Sequence, residues 1–138
     1  DNFSFILAYT YMDAKRTSNT ERPELIGTPI ESNAKNSGST WMRYKFTEGA
    51  LKRMSVGLGA IYSSETHPQA SSAALNRYKA TAPGYVLINA MVKYSFPIGK
   101  SREVSTQLNL NNVTDQKYFA GYDYGAPFAA DLTVSLHF

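Results

Sequence analysis

The stretch Phe128-Ala-Ala-Asp-Leu-Thr-Val-Ser-Leu-His-Phe138 decides the fold. In extended backbone successive side chains point to opposite faces. Phe128, Ala130, Leu132, Val134, Leu136 and Phe138 fall on one face, and Ala129, Asp131, Thr133, Ser135 and His137 on the other. Alternation this strict predicts a strand with one apolar and one polar side. Soluble strands use the same device. Here, however, the apolar side runs unbroken to Phe138, and the design recurs upstream. That combination predicts a closing strand of an outer-membrane β-barrel, its apolar side to lipid and its polar side to the lumen.

Upstream, the same alternation predicts strands over about 2–12, 40–47, 51–64, 84–96 and 102–112. In the first, Phe3, Phe5, Leu7, Tyr9 and Tyr11 share a face, while Ile6 and Met12 are apolar exceptions on the other. The second fixes the orientation. Met42, Tyr44 and Phe46 alternate with Trp41, Arg43 and Lys45. An Arg or Lys facing lipid near mid-membrane costs about 2–4 kcal/mol, so Arg43 and Lys45 must point inward. By the same alternation Arg53, Lys93 and Asp131 point inward, and the outward faces of the six spans are expected to carry no charge.

The connections support the barrel. They alternate long, short, long, short, long: 13–39 and 65–83 are polar and aperiodic, Glu48-Gly49-Ala50 and 97–101 are short turns, and 113–127 is a third loop. Bacterial barrels keep short turns in the periplasm and long loops outside. With directions assigned, Phe3, Phe46, Tyr94, Phe96 and Phe138 lie near the periplasmic edge and Tyr9, Tyr11, Tyr62 and Phe128 near the outer edge. Two aromatic girdles match the two interfaces of a bilayer. Six strands do not close such a barrel, since the even-numbered bacterial ones begin at about eight. An open sheet would leave edges that lipid cannot satisfy. The expectation is therefore the carboxy-terminal part of a larger barrel, or a sheet that must pair with other chains.

Composition agrees. Ten Tyr and seven Phe in 138 residues make the chain aromatic, yet its mean hydropathy is slightly polar, as alternate water-facing residues require. Cysteine is absent, which removes disulfides and thiolate metal sites. No apolar run of about 18 residues is long enough for a membrane helix. The net charge of +3, from 14 basic and 11 acidic residues, is spread along the chain rather than gathered in a stripe, which argues against a nucleic-acid partner.

Several segments resemble the TonB-dependent outer-membrane receptors, in particular their siderophore-receptor branch. Leu108-Asn-Leu-Asn-Asn-Val-Thr-Asp-Gln-Lys-Tyr118 is similar to the family's N-x-x-N-L-x-D-x-x-Y segment, with Val113 where Leu is frequent and Thr114 where Phe is frequent. Tyr124-Gly-Ala-Pro127 before the alternating strand ending in Phe138, Pro83-Gly-Tyr85 and Tyr9-Thr-Tyr-Met-Asp-Ala14 carry the rest of the likeness. The resemblance implies an all-β, antiparallel up-and-down barrel of about 22 strands, of which residues 1–138 supply about six, in the outer membrane of a Gram-negative bacterium. It implies a plug domain in the lumen, contributed by a missing amino-terminal part. It also implies uptake of a ferric siderophore powered by the TonB complex, and Phe138 as the signal read by the barrel-assembly machinery. Lipid, plug, remaining strands, TonB and that machinery are then the partners, and no cofactor is bound by this segment.

Trp41, Tyr118, Phe119, Tyr122 and Tyr124 are the expected ligand-facing residues, because the resemblance implies siderophore sites built from loop aromatics. Girdle or packing roles compete, since Tyr and Trp favour interfaces. Gly57 and Gly59, small and inward, are expected to leave room for a plug. His67 and His137 lack ligand-spaced partners, so no metal site is expected, and no catalytic constellation can be justified. The alternatives are a plug-less porin or small barrel, and a soluble β-barrel that binds a small ligand.

Overall fold

A computed structural model describes residues 2–67, 81–99, 102–121 and 123–138. Six long strands form one antiparallel sheet: β1 (Phe3–Tyr11), β2 (Asn36–Lys45), β3 (Met54–Ser63), β4 (Tyr85–Ile98), β5 (Arg102–Asn111) and β8 (Ala129–His137), in that spatial order. The short β6 (Phe119–Ala120) and β7 (Asp123–Tyr124) pair with each other inside the last loop. Each long strand pairs with its neighbour in sequence, so the sheet is an up-and-down meander.

The register aligns the faces into rows. Phe3, Tyr44, Val56, Val92, Leu108 and Leu132 form one outward row across all six strands. Trp41, Gly59 and Asn89 belong to an inward row, as do Lys45, Ser55, Lys93, Gln107 and Thr133. Exposure is inverted relative to a water-soluble protein. Leu7 and Leu132 are 68% and 67% exposed, whereas the inward Ser55 and Ser105 are 3% and 4% exposed. Apolar side chains splay from one surface while small polar ones crowd on the other. Water would penalise the outward surface; hydrocarbon would not.

Aromatics gather at both heights. Tyr44 and Phe46 meet edge-on with centroids 4.9 Å apart, and Tyr94 and Phe96 at 4.6 Å, on the side of the short connections. Tyr9 and Tyr62 flank Gly38 in the register at the other side, where Tyr9 donates its hydroxyl to Asn36 at 2.8 Å.

Four local expectations need correction. β2 begins at Asn36, earlier than expected, because Asn36–Ser39 pair with Ala8–Tyr11 despite their weak strand propensity. Trp41 therefore lies mid-strand, not at the second position that a strand over 40–47 would give it. The turn between β2 and β3 takes residues 46–53, which places Lys52 in the turn rather than on a strand. β4 continues through Pro97–Ile98, where the register has already left β3 and one edge of the strand is free of ladder bonds. Finally, Arg102 shares the outward parity of Val104, so the outward face carries one charge. It sits at the end of β5 with its guanidinium 5.6 Å from the Phe138 ring centroid, where a long cation can reach the headgroup level.

Candidate functional site

The loop after β5 is tied by two residues. Asn112 is buried and left-handed, at φ 50°, a conformation Asn tolerates better than most side chains. Its carboxamide nitrogen donates to the carbonyls of Gln116 and Ala126, at 3.0 and 3.1 Å, and its oxygen accepts the Gln116 N–H at 2.9 Å. Its own N–H donates to the Asn89 side chain on β4. Asp115, also left-handed, accepts the Phe128 N–H at 3.0 Å, just before β8 starts. This bond, then the Lys117 ammonium at 2.9 Å, holds the Asp115 carboxyl below its ordinary value. Asn112 and Asp115 thus bind both ends of the loop to the sheet.

On that base, Tyr118 lies over Gly125, where any Cβ would collide with its ring, and leans on Tyr85 with centroids 4.4 Å apart. The β6–β7 hairpin then presents Phe119 and Tyr124 as a stacked pair, centroids 4.6 Å apart and 29° between planes, with Tyr124 75% exposed. Three of the expected aromatics are brought together here. Tyr122 lies outside the described residues. Trp41 is elsewhere: its register partner Gly59 is four residues along β3 from the Ser63–Tyr85 pair, about 13 Å along the strand.

The loop between β1 and β2 is folded rather than aperiodic. The Lys15–Pro29 bridge, the Arg16–Glu31 ion pair at 2.6 Å and a 3₁₀ turn at Pro23–Leu25 shape it into a long hairpin. Between its base and the start of the next long loop is an open cavity of about 430 Å³, with Asp13, Lys15, Lys35, Glu65 and His67 among its lining residues. Sequence reasoning missed this cavity, because it depends on two loops with no periodic signal. Among the described residues, no three His, Asp or Glu groups approach closely enough to hold a metal ion.

The lumenal wall has two zones. Nearer the outside, Ile6, Trp41, Ile61, Leu87 and Met91 make an apolar island on the polar face, with Leu87 and Met91 buried. The Trp41 indole occupies the space over Gly57 and Gly59; a Cβ at Gly57 would come within 2.7 Å of it. These glycines therefore accommodate Trp41, which corrects the expectation that they leave space for another domain. Nearer the periplasmic end, Arg43, Lys45, Arg53, Ser55, Lys93, Ser95 and Glu103 surround a recess of about 180 Å³.

A family model described as TonB dependent receptor-like, beta-barrel, matches residues 2–113. The chain belongs to that family. A probable TonB-dependent siderophore receptor, PiuA, of Acinetobacter baumannii is 27% identical over 128 residues, covering 86% of this chain and 15% of the receptor. The ferrioxamine B receptor of Salmonella typhimurium is 30% identical over 120 residues, covering 87% of this chain and 16% of that one. The crystal structure of Acinetobacter baumannii PiuA superposes with a TM-score of 0.75 at 26% identity, over 99% of this chain and 20% of its own. The chain thus spans less than a fifth of the curated relatives it matches. As a TonB-dependent receptor barrel, its sheet is part of a larger all-β wall in the Gram-negative outer membrane, which gives the outward apolar rows their solvent.

Proposed function

We propose that this chain is barrel wall and outer loop of a TonB-dependent receptor that takes up a ferric siderophore. The family match over residues 2–113 carries the reading, and the siderophore receptors among the relatives support the substrate class. Its partners are lipid, the remaining strands, a plug in the lumen, and the TonB complex acting through that plug. The apolar island of Ile6, Trp41, Leu87 and Met91 supports a filled lumen, because the wall of a water-filled pore is polar. A plug-less porin would leave those side chains in water. Phe119 and Tyr124, stacked and open on one face, are the ligand-facing pair. Tyr118 positions the hairpin through Gly125 and Tyr85, and Trp41 stiffens the wall.

Iron-55 uptake by cells expressing the intact protein, with a panel of hydroxamate and catecholate siderophores, tests the reading. Uptake that needs TonB, and an electrically silent protein in planar bilayers, are expected. Steady open conductance with no TonB-dependent uptake would instead establish a pore.

A further inference from the structure

We propose that the basic recess at the periplasmic end of the lumenal wall docks a carboxylate-bearing segment of the domain that fills the barrel. The proposal rests on the receptor reading above and specifies where, and with what charge, the lumenal domain is held.

Lys45 and Lys93 face the same Ser55 from the two strands beside β3. Two strand spacings separate them, about 10 Å, close to the screening length at physiological salt. Arg43 stands one inward position further along β2, bonded to Ser55 at 3.4 Å. Arg53 closes the recess from the turn, where its carbonyl accepts the Ser95 N–H at 3.2 Å. Glu103 is the single carboxylate in the lining, against four cations. Among the described residues the ion pairs are Lys15–Asp13, Arg16–Glu31 and Lys117–Asp115, all in the outer loops. Glu103 offsets one of the four cations, so the recess keeps a net positive charge that the described residues do not neutralise.

Arg53 adds an independent observation. It has φ 75°, a conformation that glycine adopts freely and a long side chain does not. Strain of this kind persists only where the surrounding structure holds it, here the turn bond from the Arg53 N–H to the Phe46 carbonyl at 3.0 Å, and it clusters at functional sites. Arg53 is one of the residues that line the recess.

The occupant follows from position. The recess is at the end of the wall opposite the outer loops, so it does not capture ligand from outside. It faces the lumen, which removes lipid headgroups. On the same face the apolar island begins one inward step away, at Trp41 beyond Arg43 and Met91 beyond Lys93. A charged patch continuous with an apolar one suits a folded protein surface bearing Asp or Glu, not a free small anion.

The test uses the intact receptor in detergent and in planar bilayers. A water-soluble carbodiimide should link Lys45 or Lys93 to an Asp or Glu of the lumenal domain, identified by peptide mapping, and 1 M salt should suppress the link; Lys15 should not form it. The triple variant Lys45→Gln, Lys93→Gln, Arg53→Gly relieves the turn while removing three charges. It should fold normally and open to ions in urea at least tenfold more often than the parent. No such cross-link, together with unchanged opening, overturns the proposal. An unmodified protein that conducts steadily without urea overturns the receptor reading itself, a separate outcome.

Discussion

The Trp41 indole on β2 sits in the space that a side chain at Gly59 of β3 would occupy, and the two residues are register partners. The contact joins neighbouring strands on the lumenal face, inside the apolar island that Ile6 and Met91 share with the indole. Gly59→Ala should force the indole aside and lower stability by about 1–3 kcal/mol, the usual penalty of overpacking. Trp41→Ala should remove most of that penalty, so the double variant will be less destabilised than the sum of the singles. Thermal unfolding of the intact receptor, followed by loss of heat-modifiable migration in gels, measures it. Additive effects would show that the indole and the glycine do not share this space.

Asn112 ties the last loop through three side-chain hydrogen bonds from a left-handed backbone. Two variants separate these contributions. Asn112→Gly keeps the backbone and loses the bonds, at about 1 kcal/mol each. Asn112→Ala adds about 1–2 kcal/mol of left-handed strain. Hydrogen exchange across 113–127 should accelerate in both variants, more in the alanine one, while strands β2 and β3 keep their protection. Unchanged exchange in the loop would count against Asn112 as its anchor.

Much of this architecture is legible in the sequence because lipid imposes a strict period. Leu132, Val134 and Leu136 alternate with Thr133, Ser135 and His137 over the whole final strand, and Arg43 and Lys45 identify the lumenal face by charge alone. The start of β2 is not legible. Asn36-Ser-Gly-Ser39 has turn-like composition and becomes strand only by pairing with β1. The role of Gly57 and Gly59 is equally hidden, since register alone brings Trp41 over them. Aromatic richness flagged Tyr118, Phe119 and Tyr124, but composition could not separate the packed Tyr118 from the open Tyr124. That division comes from Gly125 and Tyr85.

Asp115 gives the last loop a pH dependence. Its carboxyl is held low by the Phe128 N–H and by Lys117. A group whose folded pKa is depressed stabilises fully above its unfolded value, about 3.9 for Asp, and loses that contribution as pH falls through the folded value. Protection of the Phe128 amide should therefore be flat at neutral pH and weaken below about pH 4. Asp115→Asn keeps an acceptor for Phe128 but has no charge to titrate, so its protection should be lower throughout and independent of pH in this range. A parent and variant with identical acid profiles would locate the titration elsewhere.

The outward row of Phe3, Tyr44, Val56, Val92, Leu108 and Leu132 makes the sharpest test of which face meets lipid. Leu132 on β8 is followed by Thr133, which pairs with Gln107 on the lumenal side. The two substitutions Leu132→Arg and Thr133→Arg therefore add the same group at neighbouring positions on opposite faces. Towards hydrocarbon, Arg should cost about 2–4 kcal/mol near the midplane; towards the lumen, beside Gln107, it should cost much less. Unfolding of the intact receptor from lipid vesicles by guanidinium, followed by tryptophan emission, measures the difference. The physical reason is the medium: the guanidinium introduced by Leu132→Arg would lack both water and a counter-ion, whereas that of Thr133→Arg would find Gln107 and Asp131 on its own face. Equal destabilisation at the two positions, or a larger one at Thr133, would mean that the polar rather than the apolar rows face the bilayer.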